Sequence, residues 1–204
     1  MGNTYCLKDT SPRTLFRVKY PVLFAPDDTS SAMIEKGVYT FIDNTFKEKR
    51  NLLQPPTKRC VNLEVVNFEG LITTQEVVDF FTKTGGRLAL PEHLFALGYQ
   101  YPKLFDELQK LLTETHLWLA SRPLKLSETN LSDTVDRLLQ KRERALITLG
   151  REMETCVVGL RVFPGLTYND SFGSGTNLVG YHVDMDRKWE PHYFFLVTEE
   201  SLGF

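Results

Sequence analysis

Hydrophobic and polar residues alternate along several segments of this chain, and such alternation is typical of β-strands. The clearest example is the segment 60–68, which is predicted to form a half-buried strand. Its residues Val61, Leu63 and Val65 share one face, whereas the other face begins with polar side chains. Pro21 interrupts an earlier pattern, and because proline cannot donate to a ladder, an edge strand or two short strands are predicted there. Further strands are predicted at 37–43, 155–163, 177–184 and 192–197.

The middle of the chain has helical rather than alternating spacing. Thr73 and Glu76 form a capping box, which predicts the start of a helix, and Gly85 provides a left-handed C-terminal stop. Pro91 is suited to the first turn of a second helix, and a third is predicted at about 103–113. A further helical stripe is predicted from Leu131, Val135, Leu138, Leu139 and Leu146.

Three other segments lack a helical pattern. The run 116–121 is short, apolar and aromatic, so it is predicted to be a buried strand. Residues 127–133 are polar and are predicted to form a surface loop. Pro164 and Gly165 are predicted to end the preceding strand, and a flexible loop is predicted at 168–177.

The order of these elements predicts an α+β fold with a mixed or antiparallel sheet and a central helical segment. Residues 1–70 are predicted to be a β-rich N-terminal part, and 71–204 an α+β part that packs with it as one compact unit. In such an arrangement, late strands pair with early ones.

Composition changes this picture little. The 204 residues are 42% hydrophobic and 25% charged, with a net charge of -2, so nucleic acid is not an expected partner. No apolar run is long enough to span a membrane, and no signal peptide is recognised. Cys6, Cys60 and Cys156 are widely separated, which favours buried or semi-buried free thiols in a reducing compartment. A cytoplasmic protein is therefore expected.

The stretch 85–97 carries a family resemblance. Gly85, Arg87, Leu88, Leu94 and Leu97 match the register of a Gly-Trp-Arg-Leu-Pro-Thr motif followed by a helix, whereas Ala89, Leu90 and His93 depart from it. The segments 116–121 and 192–197 are similar to the middle Trp-Ser segment and the terminal aromatic strand of the same family. Residues 70–200 thus resemble the C-type-lectin-like domains of bacteria and phages, including formylglycine-generating-enzyme-like ones. The resemblance implies a fold, since neither a catalytic cysteine pair nor a calcium-ligand triplet carries over.

The leading hypothesis is a recognition module without catalysis, which binds a protein or a small ligand through its C-terminal loops at 164–191. Loops on a rigid scaffold often carry binding sites, and Tyr and Trp dominate recognition surfaces. The candidate binding residues are Tyr168, Asn169, Asp170, Asn177, Trp189 and His192.

The alternatives are a metal-dependent enzyme and a phage or bacterial assembly protein. Strand alternation would place His182 and Asp184 on one face, where His192 could complete a two-histidine, one-carboxylate site for iron, manganese or zinc. No other cofactor is predicted.

Two further features are interpreted as surface structure. The basic residues Arg137, Lys141 and Arg144 would share one helical face near Arg142 and Arg151, and a solvated helix is favoured over a nucleic-acid footprint. Gly173–Thr176 lacks the lysine of a P-loop and is interpreted as a hairpin loop.

Overall fold

The computed structural model describes residues 14–47, 60–121, 126–141, 143–154, 161–169 and 175–198. These residues form an α+β fold with a mixed sheet, as the order of elements predicts. The strands are β1 Thr14–Leu23, β2 Tyr39–Ile42, β3 Cys60–Phe68, β4 Ile72–Thr73, β5 Arg87–Leu88, β6 Glu143–Ile147, β7 Met153–Glu154, β8 Arg161–Asn169, β9 Thr176–Tyr181, β10 Lys188–Trp189 and β11 Tyr193–Thr198. The helices are α1 Ser30–Lys36, α2 Asn44–Lys47, α3 Thr74–Thr84, α4 Pro91–Gln100, α5 Leu104–Ala120 and α6 Leu126–Gln140.

The main sheet has the strand order β1-β3-β11-β6-β8-β9-β2, with β5 paired to β11 and β7 paired to β8. The β11–β6 and β2–β9 pairs are parallel, and the other pairs are antiparallel. β10 and β4 form a separate two-stranded ladder. The last strand, β11, therefore lies beside the early strand β3, and the expected pairing of late with early strands is confirmed.

β1 lies at one end of this sheet, and it continues through Pro21, which is opposite Asn62 in the ladder. An edge position tolerates proline because one side of the strand needs no hydrogen-bond donor. The predicted edge strand is thus confirmed, as one strand rather than two.

β3 is buried on both faces, so the prediction of a half-buried strand is wrong beyond its first residues. Val66 and Phe68 are fully buried on the face that begins with Asn62. Glu64 is also buried there, and its carboxylate accepts a hydrogen bond of 2.7 Å from Arg17. Apolar and polar residues do not alternate further along β3, because both faces of the central sheet are covered. Beyond its first residues, its side chains are therefore apolar or hydrogen-bonded.

Two hydrophobic cores cover the two faces of the sheet. The first packs α1, α4, α5 and α6 against β1 and β3, with Leu63, Leu94 and Leu108 among its fully buried residues. The second packs α3 and the β4–β10 ladder against the other face, with Phe81 and Trp189 fully buried. The helices α1, α3, α4, α5 and α6 therefore pack on the sheet through their apolar side chains.

The helix boundaries around residue 85 follow the local signals. The Thr73 hydroxyl accepts a hydrogen bond from the Glu76 amide, and the Glu76 carboxylate accepts one from the Thr73 amide, at 3.2 and 2.8 Å. Gly85 has a φ of 74° in the left-handed region, and Pro91 begins α4. These three predictions are confirmed.

Other predicted elements are wrong. The segment 116–121 is not a strand, because α5 continues through it and buries Leu119 beside the α5 stripe. The loop predicted at 127–133 belongs to α6, which packs on α5, and Leu146 lies in β6 rather than on this helix. β8 passes straight through Pro164 and Gly165, so these residues do not end a strand.

Further differences lie near the N-terminus and at the cysteines. α1 begins at Ser30, in a segment for which no helix is predicted, and the Thr29 hydroxyl accepts a hydrogen bond of 3.2 Å from Ala32 N. Cys60 is exposed, in contrast to the expected buried thiol. The other two cysteines lie outside the described residues. Among the described helices, none is long and apolar enough to cross a membrane.

Replacing Gly85 with alanine should destabilise the protein by about 1–2 kcal/mol, because L-residues are disfavoured in the left-handed conformation. Gly70→Ala is the matched control, since an added Cβ there meets no atom within 4 Å. The control should change the free energy of unfolding by less than about 0.5 kcal/mol. Urea denaturation measures the free energy of unfolding of both variants. Equal losses of stability in the two would contradict the inference that the left-handed conformation of Gly85 requires glycine.

Candidate ligand-binding cleft

The predicted binding residues lie in separate parts of the molecule. The two last long strands do not pair: β9 lies beside β8 and β2, whereas β11 lies between β3 and β6. Tyr168 and Asn177 are on β8 and β9, where Asn177 is opposite Thr167. Asn169 ends β8, and Asp170 lies outside the described residues together with the first two residues of the predicted Gly173–Thr176 loop. The described residues of the range 164–191 are therefore divided between β8, β9 and the segment that leads to β11.

Trp189 belongs to the second core rather than to a binding surface. Its side chain is 0% exposed, and its indole N–H donates a hydrogen bond of 2.9 Å to the Thr74 hydroxyl. Its ring contacts those of Tyr193 and Phe195 at centroid distances of 5.0 and 5.8 Å. The Arg187 guanidinium lies over the ring at 4.2 Å. Trp189 therefore stabilises the fold as a core residue.

The three metal-ligand candidates are not brought together. β9 ends at Tyr181, so the strand alternation that would align His182 with Asp184 is absent. His182 is exposed, and its carbonyl accepts a hydrogen bond from Arg187, whereas His192 is buried and lies immediately before β11. In the described part of the chain, no three His, Cys, Asp or Glu side chains form a group that could hold a metal ion.

His192 instead lines a cleft of about 450 Å³, which we call the His192 cleft. It lies between α6 and the links that join β3 to β4 and β10 to β11. Its lining residues are Glu69, Gly70, Leu71, Thr134, Arg137, Leu138, Lys141, Glu190, Pro191 and His192.

One wall of the His192 cleft is a stripe of α6. Thr134, Arg137 and Leu138 are three and four residues apart, with Lys141 one turn further on at the end of the helix. Residues at this spacing share one helical face. The Thr134 hydroxyl donates a hydrogen bond of 3.1 Å to the Glu69 carbonyl, which fastens this wall to the opposite one.

The other wall is held by Asn67, a fully buried residue of β3. Its Nδ2 group donates hydrogen bonds to the carbonyls of Pro191 and Tyr193, at 2.5 and 3.2 Å. These two acceptors flank His192, so the link between β10 and β11 is fixed on both sides of the imidazole. The cleft is consequently built on the central strands of the sheet.

Glu190 and Lys141 form an ion pair across the cleft. The Lys141 ammonium donates a hydrogen bond of 3.0 Å to Glu190 Oε2, and this contact holds the pKa of the Glu190 carboxyl below its ordinary value. The same oxygen lies 3.4 Å from His192 Nδ1. That nitrogen is buried, and the contact lacks hydrogen-bond geometry, so it is an electrostatic approach rather than a bond.

His192 is a neutral imidazole at pH 7. Burial lowers its pKa, and the positive charge of Lys141 lowers it further, while Glu190 and Glu143 act in the opposite direction. Its side chain is 8% exposed. The cleft thus contains a largely buried imidazole ring whose surroundings favour its neutral form.

A second, smaller cavity of about 380 Å³ lies beside Tyr168, whose ring stacks on Phe105 at a centroid distance of 5.8 Å. It shares no lining residue with the His192 cleft. It is lined by Val38, Thr40, Pro102, Lys103, Phe105, Asp106, Tyr168, Gly175 and Thr176.

The basic cluster is divided among different environments, so the interpretation of a single solvated helix face is wrong. Arg144 is buried in β6 and donates to the carbonyls of Leu138 and Lys141, where it satisfies the end of α6. Arg151 forms an ion pair with the buried Glu92, and Arg142 lies outside the described residues. Only Arg137 and Lys141 line the His192 cleft.

Sequence reasoning identified His192 but missed the residues around it. The available signal was the spacing of Thr134, Arg137 and Lys141 on one face of a predicted helix. No local pattern relates that face to Glu69 or Glu190, because these residues come from distant segments.

Comparisons with protein-family models, with curated proteins and with solved structures find no match to this chain. The resemblance to C-type-lectin-like domains therefore stays a prediction. What the chain does must be inferred from the geometry and the charges of the His192 cleft.

Trp189→Ala should reduce the free energy of unfolding by about 3–5 kcal/mol, because it opens a cavity in the second core. The other tryptophan, Trp118, is 48% exposed on α5 and provides the matched control. Trp118→Ala should cost less than about 1 kcal/mol. Chemical denaturation of both variants measures their free energies of unfolding. A Trp189→Ala protein as stable as the wild type would contradict the burial of Trp189 in the second core.

Lowering the pH from 7 to 5.5 should destabilise the wild type more than His192→Gln. The pKa of His192 is lowered in the folded state, whereas the unfolded value is about 6.5. Below that pH the unfolded state binds more protons, so stability falls as the pH falls. Urea titrations across this range measure the effect.

His182→Gln is the control for this pH dependence, because His182 is exposed. Its stability should fall with pH as steeply as that of the wild type. Parallel curves for the wild type and His192→Gln would show that burial of the imidazole does not influence its protonation.

Proposed function

We propose that this protein is a binding module without catalysis and that the His192 cleft is its site for a small ligand. The observation that supports the proposal is the convergence of Arg137, Lys141, Glu190 and His192 on one concave surface. A cleft of about 450 Å³ is within the size range of small-molecule sites, and such sites combine apolar walls with a few polar groups.

The preformed shape of the cleft supports binding. Thr134 and Asn67 fasten its walls through hydrogen bonds to the backbone of the opposite links. A ligand therefore meets groups that are already positioned, and little conformational entropy is lost when it binds. Rigid walls of this kind favour recognition of one ligand shape.

The state of the polar groups favours recognition over covalent chemistry. Thr134 carries the one hydroxyl among the lining residues, and that hydroxyl is engaged with the Glu69 carbonyl. Covalent catalysis requires a nucleophile within hydrogen-bond reach of its base. His192 has no hydroxyl or thiol partner in the described lining, so the arrangement is more consistent with a polar contact to a ligand.

The proposal is tested by adding a library of small polar fragments to ¹⁵N-labelled protein and recording amide spectra. Binding fragments should shift the amides of Leu71, Arg137, Lys141 and His192 together. Gly70→Trp should abolish these shifts, because the direction of its Cβ is open and the new ring would occupy the cleft.

Lys83→Trp adds the same ring at an exposed position of α3, away from the cleft, and should leave fragment binding unchanged. Fragments that bind Gly70→Trp as tightly as the wild type would refute the His192 cleft as the ligand site. Shifts confined to residues around Tyr168 would refute it as well.

A further inference from the structure

Within the part of the chain that the structure describes, the His192 cleft contains one unpaired charge of each sign. Lys141 and Glu190 neutralise each other through their ion pair. Arg137 and Glu69 also line the cleft, and among the described residues neither side chain has an ion-pair or hydrogen-bond partner. With His192 neutral, the lining has no net charge, yet it has a free cation and a free anion.

These two free charges border the same part of the cleft. Arg137 follows Thr134 by three residues on α6, a spacing that puts two Cβ atoms about 5–6 Å apart. The Thr134 hydroxyl holds the backbone of Glu69, so the carboxylate and the guanidinium extend from neighbouring points. One small molecule can therefore contact both groups.

An apolar surface lies beside the charges. Leu71 is 68% exposed at the cleft, although leucine is ordinarily buried. Leu138 and Pro191 continue this surface between the two walls. A ligand with an aliphatic group would remove Leu71 from water, at about 25 cal/mol for each Å² buried.

We propose that the His192 cleft binds a free α-amino acid with an apolar side chain, in its zwitterionic form. The Arg137 guanidinium donates hydrogen bonds to the α-carboxylate, a geometry for which its planar fork is suited. The Glu69 carboxylate accepts hydrogen bonds from the α-ammonium group. Leu71 and Leu138 contact the aliphatic side chain. This assignment rests on the proposed function and names its ligand class.

The charge balance favours a zwitterion over a simple anion. An anion such as phosphate would be attracted to Arg137 but repelled by the carboxylates of Glu69 and Glu190. It would also have to compete with Glu190 for Lys141. A zwitterion meets an opposite charge at each end and leaves the ion pair intact.

Isothermal titration calorimetry of the full chain with four leucine compounds separates the contribution of the α-carboxylate to binding from that of the α-ammonium group. L-leucine has both charges, N-acetyl-L-leucine has the carboxylate alone, L-leucinamide has the ammonium alone, and N-acetyl-L-leucinamide has neither. L-leucine should bind at least about tenfold more tightly than either singly charged compound, because each of those compounds lacks one of the two charged hydrogen bonds. The uncharged compound should bind weakest.

Two variants should have reciprocal effects. Arg137→Gln should weaken L-leucine and N-acetyl-L-leucine at least about tenfold and leave L-leucinamide unchanged. Glu69→Gln should weaken L-leucine and L-leucinamide and leave N-acetyl-L-leucine unchanged. Lys83→Gln, which removes an exposed charge on α3, should bind all four compounds as the wild type does.

Several outcomes would overturn the assignment. Equal affinity for L-leucine and N-acetyl-L-leucinamide would show that the charges are not recognised. Inorganic phosphate binding more tightly than L-leucine would identify an anion site instead. If none of the leucine compounds binds while fragments still shift the cleft amides, the amino-acid assignment fails and the proposed function stands. If neither binds the cleft, both fail.

Discussion

The side chain of Asn67 joins the centre of the sheet to the wall of the cleft. It is fully buried on β3, and its amide group donates to the carbonyls on either side of His192. A buried donor left without its acceptor costs about 1–3 kcal/mol, so these bonds strongly favour one position for the link between β10 and β11. The placement of His192 and Glu190 therefore depends on the packing of β3 between two cores.

The charges of the cleft divide into a structural pair and a free pair. The contact between Lys141 and Glu190 is partly exposed, and such pairs contribute about 0–1 kcal/mol, so its main effect is on the shape and local field of the cleft. Arg137 and Glu69 keep their charges available to a ligand. Because burial and Lys141 keep His192 neutral, the balance between the two signs is preserved at pH 7. The proposed recognition of a ligand by complementary charge would rest on this balance.

Predictions from the sequence succeeded where the cause of the structure is local. The boundaries at Thr73, Gly85 and Pro91 depend on hydrogen bonds and dihedral angles within a few residues, and all three were found. The segment 116–121 was assigned wrongly because a short apolar run is similar in a buried strand and in a helix. Trp189 was placed on the surface because its polar neighbours give no sign of burial.

The sequence by itself determined the α+β class, several of the strands and the starts of α3 and α4, because periodicity and capping act over a few residues. It also placed Arg137 and Lys141 on one helical face. Only the tertiary structure decided the strand order and the charges that meet in the cleft. Lys141 and Glu190 are 49 residues apart, and Asn67 and Pro191 are 124 apart. Contacts over such separations arise from the packing of the whole sheet, which no local pattern encodes.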